Sequence, residues 1–213
     1  YDGDVNDAPF DRVFDRVAEI ERKMSTSEDD YENTELLDVN RGAPGARHAV
    51  SPDTYSVLER AYHFSQLSDG AFDVTIWPLV RLWKIGSGGE SVPPEDAVAR
   101  ARGLVDYHGL SLHPDGTVSL RHEGMGVDVG AIAKGYAADE AERILRREGV
   151  KHALLDFGGN ILVIGTKPDG SLWRIGIQRP DAERSAYIGV LSTASNAVVT
   201  SGPYERFFVQ DGI

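Results

Sequence analysis

The densest run of chemistry-bearing residues is Asp128-Val129-Gly130-Ala131-Ile132-Ala133-Lys134-Gly135-Tyr136. By pattern a strand ends in a carboxylate, a glycine opens the turn, and a lysine follows one turn into a helix. A helix start carries unpaired N–H groups and the positive end of the peptide dipoles, so a phosphate group sits there readily. Lys134 would neutralise such a group, and Asp128 would accept from a hydroxyl or a base edge. A plain strand-to-helix connection with a solvated lysine has the same spacing, and spacing alone does not choose between them. Two familiar phosphate loops are excluded. The P-loop needs lysine after its second glycine, whereas Lys134 precedes Gly135. Gly124, Gly126 and Gly130 are wrongly spaced for a dinucleotide fingerprint.

A second constellation is Asp69-Gly70-Ala71-Phe72-Asp73-Val74-Thr75, continuing through Trp77-Pro78-Leu79-Val80 to Leu82-Trp83. A ring beside backbone polar groups suits a flat heterocycle, although a buried aromatic cluster is the commoner use of such residues. Asp156-Phe157-Gly158-Gly159-Asn160 is the third, where paired glycines after a strand point to a bulge or a ligand wall. The six histidines form no HxxxH or HxH pair and read as surface or turn residues, and Ser201 lacks the setting of a hydrolase nucleophile.

The elements that must position these residues follow from periodicity. Phe10, Val13, Phe14, Val17 and Ile20 mark an amphipathic helix over Asp7 to Met24. Ser25 to Arg47 reads as a loop. Ser51-Pro52-Asp53 opens a second helix through Tyr55, Leu58, Ala61, Tyr62 and Leu67 to Asp69-Gly70, and Pro93-Pro94-Glu95-Asp96 opens a third. Two hairpins are expected: Leu110 to Leu112 with Thr117 to Leu120, and Ile161 to Ile164 with Leu172 to Ile177. Between them lies a strand–helix–strand unit. Its first strand is Val127-Asp128-Val129, its helix is lined by Ile132, Tyr136, Ala137, Ala141, Ile144 and Leu145 and closed by Gly149, and Ala153-Leu154-Leu155 begins the return strand. Ala197-Val198-Val199-Thr200 is β-type. One mixed α+β unit is expected over residues 1–213.

Composition bounds the function classes. Hydrophobic residues make up 41% and charged residues 26%, an ordinary globular balance. With 34 acidic and 22 basic residues the formal net charge is −12, which argues against a nucleic-acid groove. The absence of cysteine excludes disulfides, thiolate metal sites and a Cys nucleophile within this sequence. No apolar run is long enough to span a bilayer. The abrupt opening at Tyr1-Asp2-Gly3-Asp4 reads as mid-domain.

Taken in order, Met24-Ser25-Thr26, Asp69 to Thr75 with Pro78-Leu79-Val80, Asp128 to Gly135 with Tyr136-Ala137-Ala138-Asp139, Gly158-Gly159-Asn160-Ile161, Trp173 to Ile177, and Thr200-Ser201-Gly202 with Tyr204 to Phe208 resemble the ApbE family of FAD:protein FMN transferases. The resemblance implies an α+β domain, two closely packed lobes with an FAD cleft, in which Ala71, Phe72, Asp73, Asp128, Lys134 and Ser27 contact the flavin nucleotide. It implies Mg²⁺, with the main-chain oxygen of Ala131 as a ligand, transfer of FMN to a threonine of an acceptor flavoprotein subunit, and an extracytoplasmic setting. It assigns no catalytic base.

The sequence departs from the family pattern in three places. Ser27 stands where the family often has a tyrosine covering the flavin, a feature shared with members that also hydrolyse FAD to FMN and AMP. Pro203 replaces an aspartate in the Ser-Gly-Asp-Tyr-Glu-Arg run. The family's later His-Ile-x-Asp-Pro segment, and the Asp and Thr that complete the Mg²⁺ site, are not in the sequence, so it is expected to be part of a longer protein.

Overall fold

The computed structural model describes residues 7–84, 91–180, 186–202 and 208–210. The chain divides into two compact units, Tyr1–Ala18 with Lys134–Phe207, and Glu19–Ala133 with Phe208–Ile213. Helices and small antiparallel sheets make up both units, an α+β composition.

The first unit contains the start of α1 (Ala8–Met24), nearly all of α6 (Ala133–Arg147), and strands β4 (Ala153–Asp156), β5 (Asn160–Ile164), β6 (Trp173–Gln178), β7 (Tyr187–Thr193) and β8 (Ala197–Val199). Val13 of α1, Ala141 and Leu145 of α6, Ala153 of β4 and Ile164 of β5 form its buried core, with Phe10, Val17 and Ile144 packed against it. The helical spacing of these residues is the amphipathic pattern that requires such a partner. Phe14, expected on the same apolar face, is instead 71% exposed. Position 14 follows Val13 by one residue, about 100° around the helix, which turns it off the buried stripe.

Elsewhere on α6 a charged group is buried against two arginines. Glu140 is 8% exposed and accepts from Arg16 Nε at 3.0 Å and from the Arg143 guanidinium. The hydrogen bond from Arg143, reinforced by Arg16, holds its carboxyl below the usual glutamate range against the opposing effect of burial. A carboxylate with a depressed folded-state pKa contributes stability above its unfolded value of about 4.3, and that contribution is lost as pH falls through the folded value. Glu140→Gln is therefore expected to melt several degrees below the wild type at pH 7, with the gap closing under acid. A gap of constant width down to pH 3 would show that ionisation of Glu140 is not what stabilises this face.

The sheets correct one expectation. Strand β5 pairs with β4 and β8, while β6 pairs among the described residues with β7, so Ile161–Ile164 and Trp173–Ile177 form no hairpin. The Lys167–Gly170 turn does form, with Gly170 N donating to Lys167 O at 2.9 Å, but it passes the chain from one sheet to another. The paired glycines are not a bulge. Gly158 and Gly159 have φ of 69° and 85° and make the turn between β4 and β5, where positive φ at both positions matches the twist of the strands.

The second unit holds the rest of α1, then α2 (Glu35–Arg41), β1 (His48–Ala49), α3 (Pro52–Leu67), α4 (Trp77–Trp83), α5 (Glu95–Arg102), a 3₁₀ turn (Tyr107–Gly109), β2 (Leu110–Leu112) and β3 (Thr117–Leu120). The β2–β3 hairpin forms as expected, and β1 adds to its other edge in the order β1-β3-β2. Helix α2 lies in the stretch whose composition reads as a loop. Thr34 caps it by accepting from Leu37 N at 3.0 Å, and Leu36, Leu37, Val39 and Asn40 are buried. Helix α4 is also absent from the sequence-based expectation, which weighs its rings and passes over Pro78 as a first-turn residue.

Candidate functional site

The sequence predicts a strand at Val127-Asp128-Val129, and among the described residues it pairs with none. A single parallel bridge, Ile76 to Gly126, precedes it. Hydrogen bonds from elsewhere replace the ladder. The buried side chain of Asn40 meets both polar groups of Val127: Oδ1 accepts from Val127 N at 2.7 Å and Nδ2 donates to Val127 O at 2.9 Å. One amide side chain thus satisfies the N–H and C=O that a neighbouring strand would have satisfied. Asp128 N then donates to Val74 O at 2.9 Å, which lays residues 126–128 alongside residues 74–76.

The carboxylate of Asp128 is partly exposed and held at both oxygens. Thr26 Oγ1 donates to Oδ2 at 2.6 Å and Gly130 N donates to Oδ1 at 2.8 Å. The next turn closes with Ile132 N and Ala133 N on Val129 O, at 2.9 and 2.7 Å, and leads into α6. Ala131 lies exposed in that turn.

Asp73 has a different setting. Its Oδ1 accepts from Thr75 N at 2.8 Å and Thr75 Oγ1 at 2.6 Å, and its Oδ2 accepts from Tyr107 N at 2.9 Å. Thr75 Oγ1 in turn accepts from Asp106 N at 2.9 Å. The carboxylate thereby stitches the 73–75 turn to the start of the 3₁₀ turn. Just upstream, Ser68 Oγ accepts from Phe72 N at 3.0 Å and leaves Ala71 exposed and Phe72 half-buried. Trp77 is buried, with the Arg81 guanidinium 5.1 Å above its ring. The Trp77 part of this constellation is thus the buried aromatic that the sequence leaves open as an alternative.

The second unit gathers Ser27, Asp73 and Asp128 around two adjacent backbone runs. Ser27 follows the threonine that holds Asp128, and its own hydroxyl donates to Asp30 Oδ2 at 2.7 Å. Lys134, exposed at the second position of α6, belongs to the first unit. Asp156-Phe157-Gly158-Gly159 also belongs there and serves as a turn. Residues 203–207, which include Pro203, Tyr204, Glu205 and Arg206, lie outside the described residues.

Sequence reasoning gives no role to Thr34 or Asn40, and none to Thr26 beyond its place in a motif. Thr34 has a legible signal, a capping threonine before Glu35-Leu36-Leu37. Asn40 has none, because an asparagine inside a polar stretch does not announce a buried partner 87 residues away.

Mg²⁺ takes about six oxygens in near-octahedral geometry, and the donor set falls short of it. Among the described residues no group of three His, Cys, Asp or Glu is arranged to hold a metal. The main-chain oxygen of Ala131 and the carboxylate of Asp128, already engaged by two donors, do not amount to a magnesium site.

A profile of the ApbE family matches residues 2–213. The chain belongs to the ApbE family. A curated relative from Klebsiella pneumoniae named FAD:protein FMN transferase is 36% identical over 209 residues, covering 97% of this chain and 63% of its own length. Another of that name, from Treponema pallidum, is 35% identical and covers 97% and 60% respectively. This chain therefore spans less than two thirds of the length of these relatives. Among solved structures, the ApbE protein of Thermotoga maritima superposes with a TM-score of 0.89 at 30% identity, over 100% of this chain and 68% of that one. The flavin transferase ApbE of Vibrio cholerae gives 0.82 at 29% identity, over 97% and 66%. These ApbE structures share the α+β fold described above.

Proposed function

We propose that this chain carries the flavin-handling part of an FAD:protein FMN transferase. The observation that carries the reading is the seat of Asp128, a half-exposed carboxylate oriented by two donors beside the 73–76 run. Both segments stand in the order of the family motifs. The names of the relatives support the same activity. In this reading Ala71, Phe72, Asp73, Asp128, Lys134 and Ser27 line the flavin nucleotide, Asp73 chiefly by fixing the turn that presents Ala71 and Phe72.

The reaction exchanges the phosphoanhydride bond of FAD for a phosphoester to the acceptor. The threonine hydroxyl oxygen of an acceptor flavoprotein subunit bonds to the FMN-side phosphorus of FAD, and the bridging P–O bond breaks. AMP leaves with the electron pair, and the hydroxyl proton passes to solvent. Mg²⁺ belongs to this proposal, with Ala131 O as one ligand. An extracytoplasmic setting is part of the same reading, and recovery of the protein with the cytosolic fraction of its source cells would refute it.

Ser27 favours a second outcome, in which water replaces threonine and FAD is hydrolysed to FMN and AMP. Incubating the intact protein with FAD, Mg²⁺ and an acceptor carrying the threonine motif distinguishes the two. The expected result is an acceptor heavier by one FMN. Free FMN and AMP without that gain would mean hydrolysis, and unchanged FAD would dismiss both activities.

A further inference from the structure

We infer that Thr26 is the positioning residue for Asp128, setting the orientation of its carboxylate and through it the affinity for FAD; the inference rests on the FAD-binding reading above. The hydroxyl hydrogen bond spans 102 residues of sequence at 2.6 Å, the short distance typical of a hydroxyl donating to an ionised carboxylate. Asp128 is fixed from two directions. Gly130 N holds Oδ1 from within its own turn, and Thr26 holds Oδ2 from a different segment, so the pair of donors defines the carboxylate plane. Each oxygen retains acceptor capacity for an incoming N–H or O–H group.

Thr26 is itself held, which separates a positioning contact from an incidental one. Ser25 N donates to Glu21 O at the end of α1 at 2.8 Å, and Ser25 O accepts from Thr34 Oγ1, the α2 cap, at 2.7 Å. Beyond Thr26, Glu28 pairs with Arg41 at 3.1 Å and with Arg81 at 2.9 Å. Residues on both sides of Thr26 are therefore tied to α1, α2 and α4. The hydroxyl is a fixed point to which the carboxylate is brought. Water could replace the lost hydrogen bond at a half-exposed oxygen, but it would not restore the orientation.

The test is a flavin-fluorescence titration of the intact protein with FAD, comparing wild type with Thr26→Val, Thr26→Ser, Asp128→Asn and the double variant T26V/D128N. Thr26→Val keeps the shape and removes the donor, and is expected to weaken FAD binding about tenfold, as loss of one charge-assisted hydrogen bond would. Thr26→Ser restores the donor and is expected within about threefold of wild type. In the Asp128→Asn background, Thr26→Val should add little, because the carboxylate it served is gone.

Wild-type affinity in Thr26→Val would overturn the inference while leaving FAD binding intact. So would equal losses in the Ser and Val variants, or an undiminished effect of Thr26→Val beside Asp128→Asn. If the wild type fails to bind FAD, the functional reading falls and takes the inference with it. Should Thr26→Val not fold, Thr26→Ala replaces it under the same criteria.

Discussion

Asn40→Ala is expected to lower the melting temperature of the unit containing it by about 10 °C, the equivalent of roughly 3 kcal/mol in a unit of this size. Val127 is fully buried, and the Asn40 amide is the partner of both its backbone groups. Truncation strands an N–H and a C=O at about 1–3 kcal/mol each, offset where water enters the space. Asn40→Asp separates hydrogen bonding from packing, since it keeps the volume. The introduced carboxylate still accepts from Val127 N, but its second oxygen now faces the Val127 carbonyl and a buried charge is added. The neutral acid regains a donor. Burial and the opposing carbonyl both favour that form, so the folded-state pKa of the introduced carboxyl is raised. Stability of the variant should therefore improve as pH falls through that value and be lost as pH rises through it. Melting curves of both variants between pH 4 and pH 8 check this. An Asn40→Asp variant as stable as wild type at pH 8 would contradict the account.

Gly165→Ala is expected to destabilise the other unit by about 3 kcal/mol or more, seen as a shift in the denaturant midpoint. Gly165 follows β5 with φ of 61°, and a Cβ there would stand 2.2 Å from the main-chain oxygen of Lys151. The left-handed conformation alone costs a non-glycine residue about 1–2 kcal/mol, and the clash with backbone adds to it. The same residue links three segments: its N–H donates to Ser195 Oγ and its carbonyl accepts from Trp173 Nε1, both at 2.9 Å. Gly158→Ala is the control. Its φ is 69°, but nothing lies within 4 Å of the added carbon, so only the conformational cost of about 1–2 kcal/mol is expected. Equal losses at positions 158 and 165 would show that the contact with Lys151 has no energetic weight.

These two positions also mark the limit of what the sequence reveals. Helices α1, α3 and α6 and the β2–β3 hairpin are legible because their periodicity, caps and turn residues act over a few neighbours. The partner of β5 is not. Turn chemistry at Lys167–Gly170 correctly predicts a reversal, yet which strand pairs with which depends on contacts such as Gly165 with Trp173 and Ser195. Val127–Val129 likewise has strand composition without a strand partner among the described residues, because its hydrogen bonds come from a side chain in α2 and from Val74. At the candidate site, Asp73 and Asp128 are legible as residues. Their different employment, one stitching a turn and the other presented by two donors, depends on distant partners and is not.

The partition of the chain has a consequence for its biosynthesis. The first unit is built from Tyr1–Ala18 and Lys134–Phe207, so Val13 of α1 meets its partners Leu145, Ala153 and Ile164 only after roughly 130–150 further residues have been made. At a synthesis rate of about 5–20 residues per second, that delay is on the order of 7–30 s. During this time the apolar stripe of Phe10, Val13 and Val17 leaves the ribosome ahead of the surface that will cover it. The intervening Glu19–Ala133 segment, which supplies all of the second unit but its last few residues, is made in the meantime. The nascent chain thus resembles an insertion within a host, with the apolar stripe of α1 left uncovered until the later segment arrives.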